Sequence, residues 1–188
     1  MADLPPLRRP PDPPLGDDAV LLRLPRDDDA AAMAAACSDP EIARWIPVPV
    51  PYALADARAF LASAADGWAS GAEATLAIEE RASGRLAGMI GLHGGCRPDR
   101  ASVGYWLAPE ARGRGLATRA VRLLAAWAFA DPRLERLELL TLVGNEASGR
   151  VAARAGFARE GILRGYLPHR GRIVDAVMHA RVRGDPEP

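Results

Sequence analysis

The sequence predicts a mixed α/β domain in which helices pack on a largely antiparallel sheet. Helix-patterned segments alternate with short apolar strands, and two pairs of adjacent strands are separated by turns short enough for antiparallel hairpins. The chain has 188 residues and 49% hydrophobic content, enough for one domain with a substantial core.

Composition limits the function as well. The 24 basic residues balance the 24 acidic ones, so we expect neither a general nucleic-acid surface nor a membrane surface. The apolar runs are shorter than the roughly 18 residues of a membrane span, and the first residues do not resemble a signal peptide, which favours a cytoplasmic protein. Two distant cysteines, Cys37 and Cys96, make a disulfide framework or a metal site unexpected.

The predicted domain limits follow from proline content. Residues 1–16 contain so many prolines that they can neither propagate a helix nor enter a sheet interior, so we expect a disordered arm. We expect a single domain over residues 17–183 and a short tail over residues 184–188.

The first part of the domain predicts a strand and two helices. The strand covers residues 19–24, and a helix rich in alanine follows within residues 26–39, with aspartates at its start. Residues 44–52 alternate proline with apolar residues and predict an extended segment. A second helix covers residues 53–71 and ends at Gly71.

The middle of the chain predicts three strands and a helix. Residues 74–80 and 84–94 form a hairpin around the turn RASG, and residues 101–107 form the third strand. The helix begins at Leu116, and the helical period places four apolar residues on one face: Ala120, Leu123, Leu124 and Trp127.

The last part predicts a strand, a short helix and a second hairpin. Residues 134–143 have few polar interruptions and predict a central strand buried on both faces. Asn145 is a good N-cap for a helix that ends near Gly156. The closing hairpin has strands at residues 160–167 and 172–182, joined by the turn PHRG.

The segment RGRGLAT, which begins at Arg112, combines glycines and positive charge at the start of a helix. Such a turn exposes backbone N–H groups and suits a phosphate, although a glycine-rich helix entry can also be a plain structural turn. A P-loop is excluded because the chain has no lysine. A dinucleotide fingerprint is disfavoured because five residues separate the strand from Gly113, and Thr118 replaces its last glycine.

A third pattern, Arg/Gln-x-x-Gly-x-Gly/Ala, is met by Arg112, Gly115 and Ala117. This segment resembles the pyrophosphate loop of the GNAT superfamily of N-acetyltransferases. The resemblance continues through VGYWLAPEARGRGLATRAV, NEASGRVAARAGFAREG and LRGYLPHRGRIVDAVMHA, in the order and spacing of the family. It is strongest to the bacterial branch that acetylates the N-termini of ribosomal proteins.

The resemblance implies a sheet whose central parallel strands splay apart and hold acetyl-CoA as the acetyl donor. The backbone near Leu107 and Pro109 would bind pantetheine, and Arg112 and Arg114 would add charge beside the diphosphate. The diphosphate would be held by the backbone N–H groups of Gly113, Arg114, Gly115, Leu116, Ala117 and Thr118.

The resemblance also suggests catalytic residues. Many family members protonate the leaving thiolate with a tyrosine seven residues after the asparagine, but that position is Ala152 in this chain. Ser148 matches the serine of the ribosomal-protein branch and lies on the same helical face as Asn145. We therefore expect Asn145 to contact the cofactor and Ser148 to hydrogen-bond the sulfur.

The general base and the acceptor site have weaker signals. Glu79, Glu80 and His93 can titrate, but exposed hairpin charges explain the glutamates better and His93 can simply end a strand. An acceptor cleft could be lined by aromatic residues, which are more often core residues: Trp45, Tyr105, Trp106 and Tyr166. Asp175 and Glu160 could pair with a cationic acceptor or simply form salt bridges.

The predicted function is acetyl transfer from acetyl-CoA to a primary amine by direct attack, with a protein N-terminus as the favoured acceptor. A small amine or an aminoglycoside is an alternative. A noncatalytic acyl-CoA sensor is a rival that Ala152 permits, and a nicotinamide-dependent enzyme is more remote.

Overall fold

A computed structural model of the protein describes residues 9–94 and 99–188. Cys96 and residues 1–8, which are half of the predicted N-terminal arm, lie outside the described residues. The strands are β1 Leu15–Gly16, β2 Val20–Arg23, β3 Glu73–Glu80, β4 Arg85–Gly94, β5 Arg100–Leu107, β6 Arg136–Leu142, β7 Ala158–His169 and β8 Arg172–Val182. The helices are α1 Asp29–Cys37, α2 Pro40–Trp45, α3 Leu54–Ser70, α4 Leu116–Phe129 and α5 Glu146–Arg154, with a 3₁₀ turn at Pro109–Ala111.

All eight strands form one sheet in the order β1-β2-β3-β4-β5-β6-β8-β7. Neighbouring strands are antiparallel, apart from the parallel pair β5 and β6 at its centre. The predicted mixed, mostly antiparallel α/β fold is therefore confirmed. Within the described ranges, no helix is long and apolar enough to cross a membrane.

The helices cover both faces of the sheet because successive strand residues point to opposite sides. Leu76 and Ile78 of β3 pack in one cluster with Val121 and Leu124 of α4. Ala77, which lies between them in sequence, packs in another cluster with residues of α1 and α3. Both cores thus form around the same strand.

Several predicted elements are found close to their expected bounds. Gly71 ends α3 in the left-handed conformation, with a φ of 73°, and the Asn145 side chain caps α5 by accepting a hydrogen bond from the Ser148 N–H. The first hairpin and the start of α4 at Leu116 are also as predicted. On α4 the buried face is centred on Ala120, Val121 and Leu124 rather than on Leu123 and Trp127, which are half-buried.

Other expectations were wrong in detail. Leu15 and Gly16, at the end of the predicted disordered arm, pair with β2 as an edge strand. Helix α1 ends at Cys37, within its predicted range, but a further helix that was not predicted, α2, begins at Pro40 behind the N-cap Asp39, because the first helical position needs no intrahelical N–H bond. The extended segment therefore starts after Trp45.

Strand β6 is central, but it is not buried on both faces. Its residues alternate between buried and half-buried, and Arg136 and Glu138 form an ion pair on the less buried face with an N···O distance of 2.7 Å. The final turn is shorter than predicted, since β7 continues to His169 and leaves two turn residues, Arg170 and Gly171.

Candidate functional site

The two parallel strands at the centre of the sheet diverge along their length. Their ladder pairs Arg100–Ser102 with Arg136–Glu138. Beyond Ser102, β5 continues beside β4 as far as Leu107, and β6 continues beside β8 as far as Leu142. Among the described residues, neither strand has a ladder partner there on the side that faces the other, so a notch opens whose walls are backbone edges without ladder hydrogen bonds.

The phosphate-loop candidate lies next to the open end of this notch. The 3₁₀ turn at Pro109–Ala111 follows β5 directly, and the loop then enters α4. Gly113 and Gly115 have φ values of 73° and 78°, which favour glycine, and an added Cβ at either position would meet no atom within 4 Å. Space is therefore open on the outer side of the loop.

The start of α4 offers backbone donors without a competing acid. Arg119 N–H donates to the Gly115 carbonyl, so the N–H groups of Leu116, Ala117 and Thr118 precede the intrahelical ladder. The first turn contains no acidic residue. The helix dipole and these donors together suit a diphosphate.

Both loop arginines are engaged by carboxylates of other elements. Arg112 contacts Asp39, the N-cap of α2, at 2.6 Å, and its Nε donates to the Leu107 carbonyl at 3.3 Å. Arg114 pairs with Glu80 at the end of β3. Hydrogen bonds from Ser83 and Arg114 lower the pKa of Glu80 despite partial desolvation. Direct contact of these arginines with a diphosphate thus stays a prediction.

Three of the predicted site residues meet at the notch. Tyr105 on β5 and Ser148 in the first turn of α5 have hydroxyl oxygens 2.8 Å apart. The Asn145 side-chain oxygen accepts the Ser148 N–H at 3.1 Å. Burial raises the pKa of Tyr105, and the hydrogen bond with Ser148 acts in the opposite direction without cancelling it. Tyr105 therefore carries its proton at neutral pH. Ala152, the position of the absent tyrosine, is fully buried.

A cleft of about 500 Å³ lies beside this point, where β6 ends. Its lining residues are Arg44, Trp45, Leu142, Val143, Gly144, His169, Val174 and Asp175, and the acceptor role expected for Trp45 stays a prediction. The Trp45 indole N–H donates to Glu41 at 2.6 Å, and the Arg44 guanidinium lies 4.6 Å from the centre of the Trp45 ring. Because Gly144 immediately precedes Asn145, the cleft and the notch meet at the start of α5.

One wall of the cleft is shaped by an irregularity in the last hairpin. Between the pairs Leu163↔Ala176 and Leu167↔Val174, β7 has three residues opposite one in β8. Asp175 stabilises this bulge by accepting the Gly165 N–H at 2.8 Å. Arg170, in the turn, donates to the Ala43 carbonyl of α2 at 2.8 Å and so ties the hairpin to the helix that carries Trp45.

The remaining candidates lie elsewhere. Tyr166 is in the bulge and half exposed but is not among the cleft-lining residues, and Trp106 packs against the core. Glu160 pairs with Arg136 at 2.5 Å, and His93 lies near Glu73, at 3.3 Å. Glu79 is not the exposed hairpin charge that was expected, because it accepts a hydrogen bond from the buried Arg23 at 2.6 Å.

Two features of the site were missed from sequence. The hydroxyl pair joins residues 43 positions apart, and the pair of Arg112 with Asp39 joins α2 to the loop. The alternation of β5 could have placed Tyr105 on one face of the sheet, but its partner depends on the packing of α5. No group of three or more potential metal ligands is found among the described residues.

Comparison with known proteins gives a consistent picture. The family model for the acetyltransferase (GNAT) domain matches residues 19–158. The uncharacterised N-acetyltransferase YoaA of Bacillus subtilis is 28% identical over 172 residues, covering 91% of this chain and 97% of that protein. The "Putative ribosomal N-acetyltransferase YdaF" of the same organism is 40% identical over 101 residues, covering 53% of this chain and 55% of that protein.

Two solved structures have closely similar folds. Mycobacterium smegmatis RimJ, solved in complex with CoA-disulfide, has a TM-score of 0.78 and 26% identity, covering 87% of this chain and 81% of that one. The microcin C7 self-immunity acetyltransferase MccE, solved with acetyl-CoA and AMP, has a TM-score of 0.81 and 20% identity, covering 89% of this chain and 94% of that one. At that identity the second likeness concerns the fold alone.

Proposed function

The chain belongs to the GNAT family of acetyl-CoA-dependent acyltransferases, and from this premise we propose that it acetylates the α-amine of a protein or peptide N-terminus in the cytoplasm. The observation that carries the proposal is the notch between β5 and β6, which opens between the α4 loop on one side and the hydroxyl pair and cleft on the other. A ligand with a diphosphate at one end and a thioester at the other fits this sequence of groups.

The donor would be bound mainly by backbone groups. The diphosphate would lie at the N–H groups of residues 113–118, where the helix dipole and the open side of the glycines favour an anion. Pantetheine would follow the unpaired edges of the notch near Leu107 and Pro109. Pro109 has only a carbonyl to offer, and the Leu107 carbonyl also accepts a hydrogen bond from Arg112. Asn145, at the end of the notch, would contact the donor near its thioester.

The acceptor would enter through the cleft. Trp45 provides an aromatic wall, and the carboxylate of Asp175 provides a negative charge suited to an approaching amine. The cleft has a volume of about 500 Å³ and is open to the surface, and the relative YdaF is named a putative ribosomal N-acetyltransferase, which favours a protein N-terminus as the acceptor. An α-amine has a pKa of about 7.7 to 8, so part of it is neutral at physiological pH without a strong base.

The chemistry then needs little from the protein. The amine nitrogen attacks the thioester carbon, the C–N bond forms, the C–S bond breaks, and the electron pair leaves on sulfur. The nitrogen gives up a proton, directly or through water. A thiol of this type has a pKa of about 8.5, so a single hydrogen bond from Ser148 stabilises the leaving group sufficiently.

The test of the proposed function is release of free thiol from acetyl-CoA in the presence of a panel of acceptors. A peptide with a free N-terminus should be acetylated, and the same peptide with a blocked N-terminus and an internal lysine should not. Turnover with an aminoglycoside or small amine and none with peptides would overturn the acceptor class. Binding of acetyl-CoA without turnover on any acceptor would favour the noncatalytic sensor.

Ser148→Ala should lower kcat about a hundredfold, because the thiolate loses its hydrogen-bond donor. The Kd of CoA should stay within about twofold, since the diphosphate contacts lie elsewhere. Steady-state kinetics and calorimetry measure these quantities. Ser70→Ala is the matched control, because Ser70 ends α3 and donates to the Asp66 carbonyl, away from the notch. An unchanged kcat in Ser148→Ala would remove Ser148 from the mechanism.

A further inference from the structure

The hydroxyl pair at the notch joins its two walls. Tyr105 extends from β5, and Ser148 belongs to α5, which follows β6. Because the two strands have no ladder between them at this level, the 2.8 Å contact of the two hydroxyls is a direct link across the opening. From the sequence Tyr105 is expected to line an acceptor cleft, but Tyr105 is not among the residues that line the cleft beside α5.

Ser148 is held on its backbone side as well. Its N–H donates to Asn145, the N-cap of α5, which fixes the first turn of the helix. The Tyr105 ring packs against the main core cluster and cannot swing freely. With the hydroxyl hydrogen bond formed, two arrangements of its hydrogens exist, since each oxygen can donate or accept.

The charge that develops in the reaction selects one arrangement. If Ser148 donated to Tyr105, its lone pairs would face the leaving sulfur and repel the growing thiolate. If Tyr105 donates to Ser148, the serine keeps its own hydrogen for the sulfur, and the two hydrogen bonds strengthen each other. The protonated state of Tyr105 at neutral pH, which follows from its burial, is compatible with this direction.

Building on the proposed function, we propose that Tyr105 is a positioning residue: its hydroxyl donates to Ser148 Oγ and thereby directs the Ser148 hydrogen towards the leaving sulfur. Tyr105 keeps its proton throughout. The electron pair of the broken C–S bond stays on sulfur, where the Ser148 hydrogen bond stabilises it. The proton lost by the amine passes to solvent or to the thiolate as the product leaves.

Tyr105→Phe removes the hydroxyl and keeps the ring. Its kcat should fall about tenfold, the equivalent of one hydrogen bond, while KM for acetyl-CoA and the Kd of CoA stay within about twofold. Tyr52→Phe is the matched control, because Tyr52 is a half-buried tyrosine that packs against the same core. Its kcat should equal that of the wild type, and the melting temperature of both variants should stay within a few degrees of the wild type, so that both are folded during the assay.

A double variant shows whether Tyr105 acts through Ser148 or contributes to catalysis independently of it. In the Ser148→Ala background, Tyr105→Phe should cause no further loss of kcat, because Tyr105 acts through Ser148. The inference would be overturned if the fall in kcat of the double variant equals the product of the falls in the two single variants. It would also be overturned if Tyr105→Phe leaves kcat of an active enzyme unchanged.

A second readout does not need turnover. With CoA bound as the free thiol, ultraviolet difference spectra over a pH series report the pKa of its sulfhydryl. That pKa should be lowered in the wild type, and both Tyr105→Phe and Ser148→Ala should raise it towards about 8.5. An identical thiol pKa in all three proteins would contradict the inference, even if no acceptor is found and the proposed function itself fails.

Discussion

Two consecutive glutamates on β3 bind arginines in two very different regions. Glu79 belongs to a buried ion cluster with Arg23 and Asp29, in which the Arg23 and Asp29 side chains are only 7% and 5% exposed. Glu80 belongs to a loop pair with Arg114, whose side chain is 50% exposed. In the buried ion cluster each charge depends on its partners, whereas water or another anion can replace Glu80 at Arg114. The first region stabilises the fold, and the second can exchange ligands.

The buried ion cluster fixes the sheet to the first helix. Arg23, the last residue of β2, donates to both carboxylate oxygens of Asp29 at 2.8 Å and to Glu79 at 2.6 Å. Asp29 also accepts the Arg26 N–H at 2.7 Å, which closes the turn before α1. With the bidentate pair and these further bonds, few hydrogen-bonding groups of the cluster are left without a partner. Removing one member alone leaves its partners buried and unpaired, which lowers the stability of the folded protein.

The largest expected effect comes from breaking this cluster. Arg23→Met should lower the free energy of unfolding by about 3 to 5 kcal/mol, because Asp29 stays buried without its partner. The Kd of CoA for the folded variant should not change. Urea unfolding and calorimetry measure the two quantities. Arg133→Met is the control: Arg133 is 61% exposed and pairs with Asp131 at 3.2 Å, so the loss should be below about 1 kcal/mol. A weaker Kd in Arg23→Met would contradict the separation of the two regions.

The same cluster predicts a dependence on acid. Burial alone would raise the pKa of Asp29, but hydrogen bonds from Arg23 and the Arg26 N–H, with the charge of Arg23, lower it overall. A carboxyl with a lowered pKa in the folded state contributes stability above its unfolded pKa of about 3.9 and loses it as pH falls through the folded value. The difference in unfolding free energy between wild type and Arg23→Met should therefore be constant near neutral pH. It should narrow as the pH falls from the Asp29 pKa of the folded variant, which burial raises in the absence of Arg23, towards the lowered Asp29 pKa of the folded wild type. A constant difference down to about pH 2 would show that another group is responsible.

In the loop that carries Arg114, the backbone conformation should affect the affinity for CoA more than the side-chain charges do. Gly115→Ala should weaken CoA binding about tenfold, because the added Cβ projects into the open side of the loop and strains a residue with positive φ. Gly84→Ala is a matched control, since Gly84 also has a positive φ, 66°, with no atom within 4 Å of an added Cβ, but lies in the β3–β4 turn. Both variants should lose about 1 kcal/mol of stability, and Gly115→Ala should also lose affinity. Equal Kd values for the two variants would remove the loop from the diphosphate site.

Local signals in the sequence predicted much of the fold. Gly71 and Asn145 end and begin helices through bonds within a few residues, and the first hairpin is joined by a four-residue turn, so neighbouring residues suffice to predict them. The two-residue strand β1 depends on its pairing with β2, and its proline-rich surroundings give no sign of it. Helix α2 has a local start signal, because Asp39 is a good N-cap and Pro40 suits the first helical position. The prolines that follow at short intervals favoured an extended segment instead.

The candidate site also contains features that local sequence predicts and contacts that depend on the packing of distant segments. The loop from Arg112 to Thr118 and the Asn145 cap follow from residue types at fixed spacing, and the structure brings them to the open end of one notch. The contacts of Tyr105 with Ser148 and of Arg112 with Asp39 join distant segments, so they depend on how α5 and α2 pack. The different partners of Glu79 and Glu80 are a further case, since two identical neighbouring residues give no sequence signal that distinguishes them.

The smallest expected effect is also the sharpest test of the comparison. Glu80→Gln keeps the size of the side chain but removes the charge that competes for Arg114, so the Kd of CoA should tighten about two- to threefold at low salt. The gain should fade as ionic strength rises towards about 1 M, where the Debye length is about 3 Å. Glu135→Gln controls for net charge, because Glu135 precedes β6 at the paired end of the notch strands and lies near Arg183. If Glu80→Gln instead weakens binding, the pair with Arg114 holds the loop in shape rather than exchanging its anion. The two regions would then differ only in the burial of the partner arginines, since the two glutamate side chains are about equally exposed, at 16% and 14%.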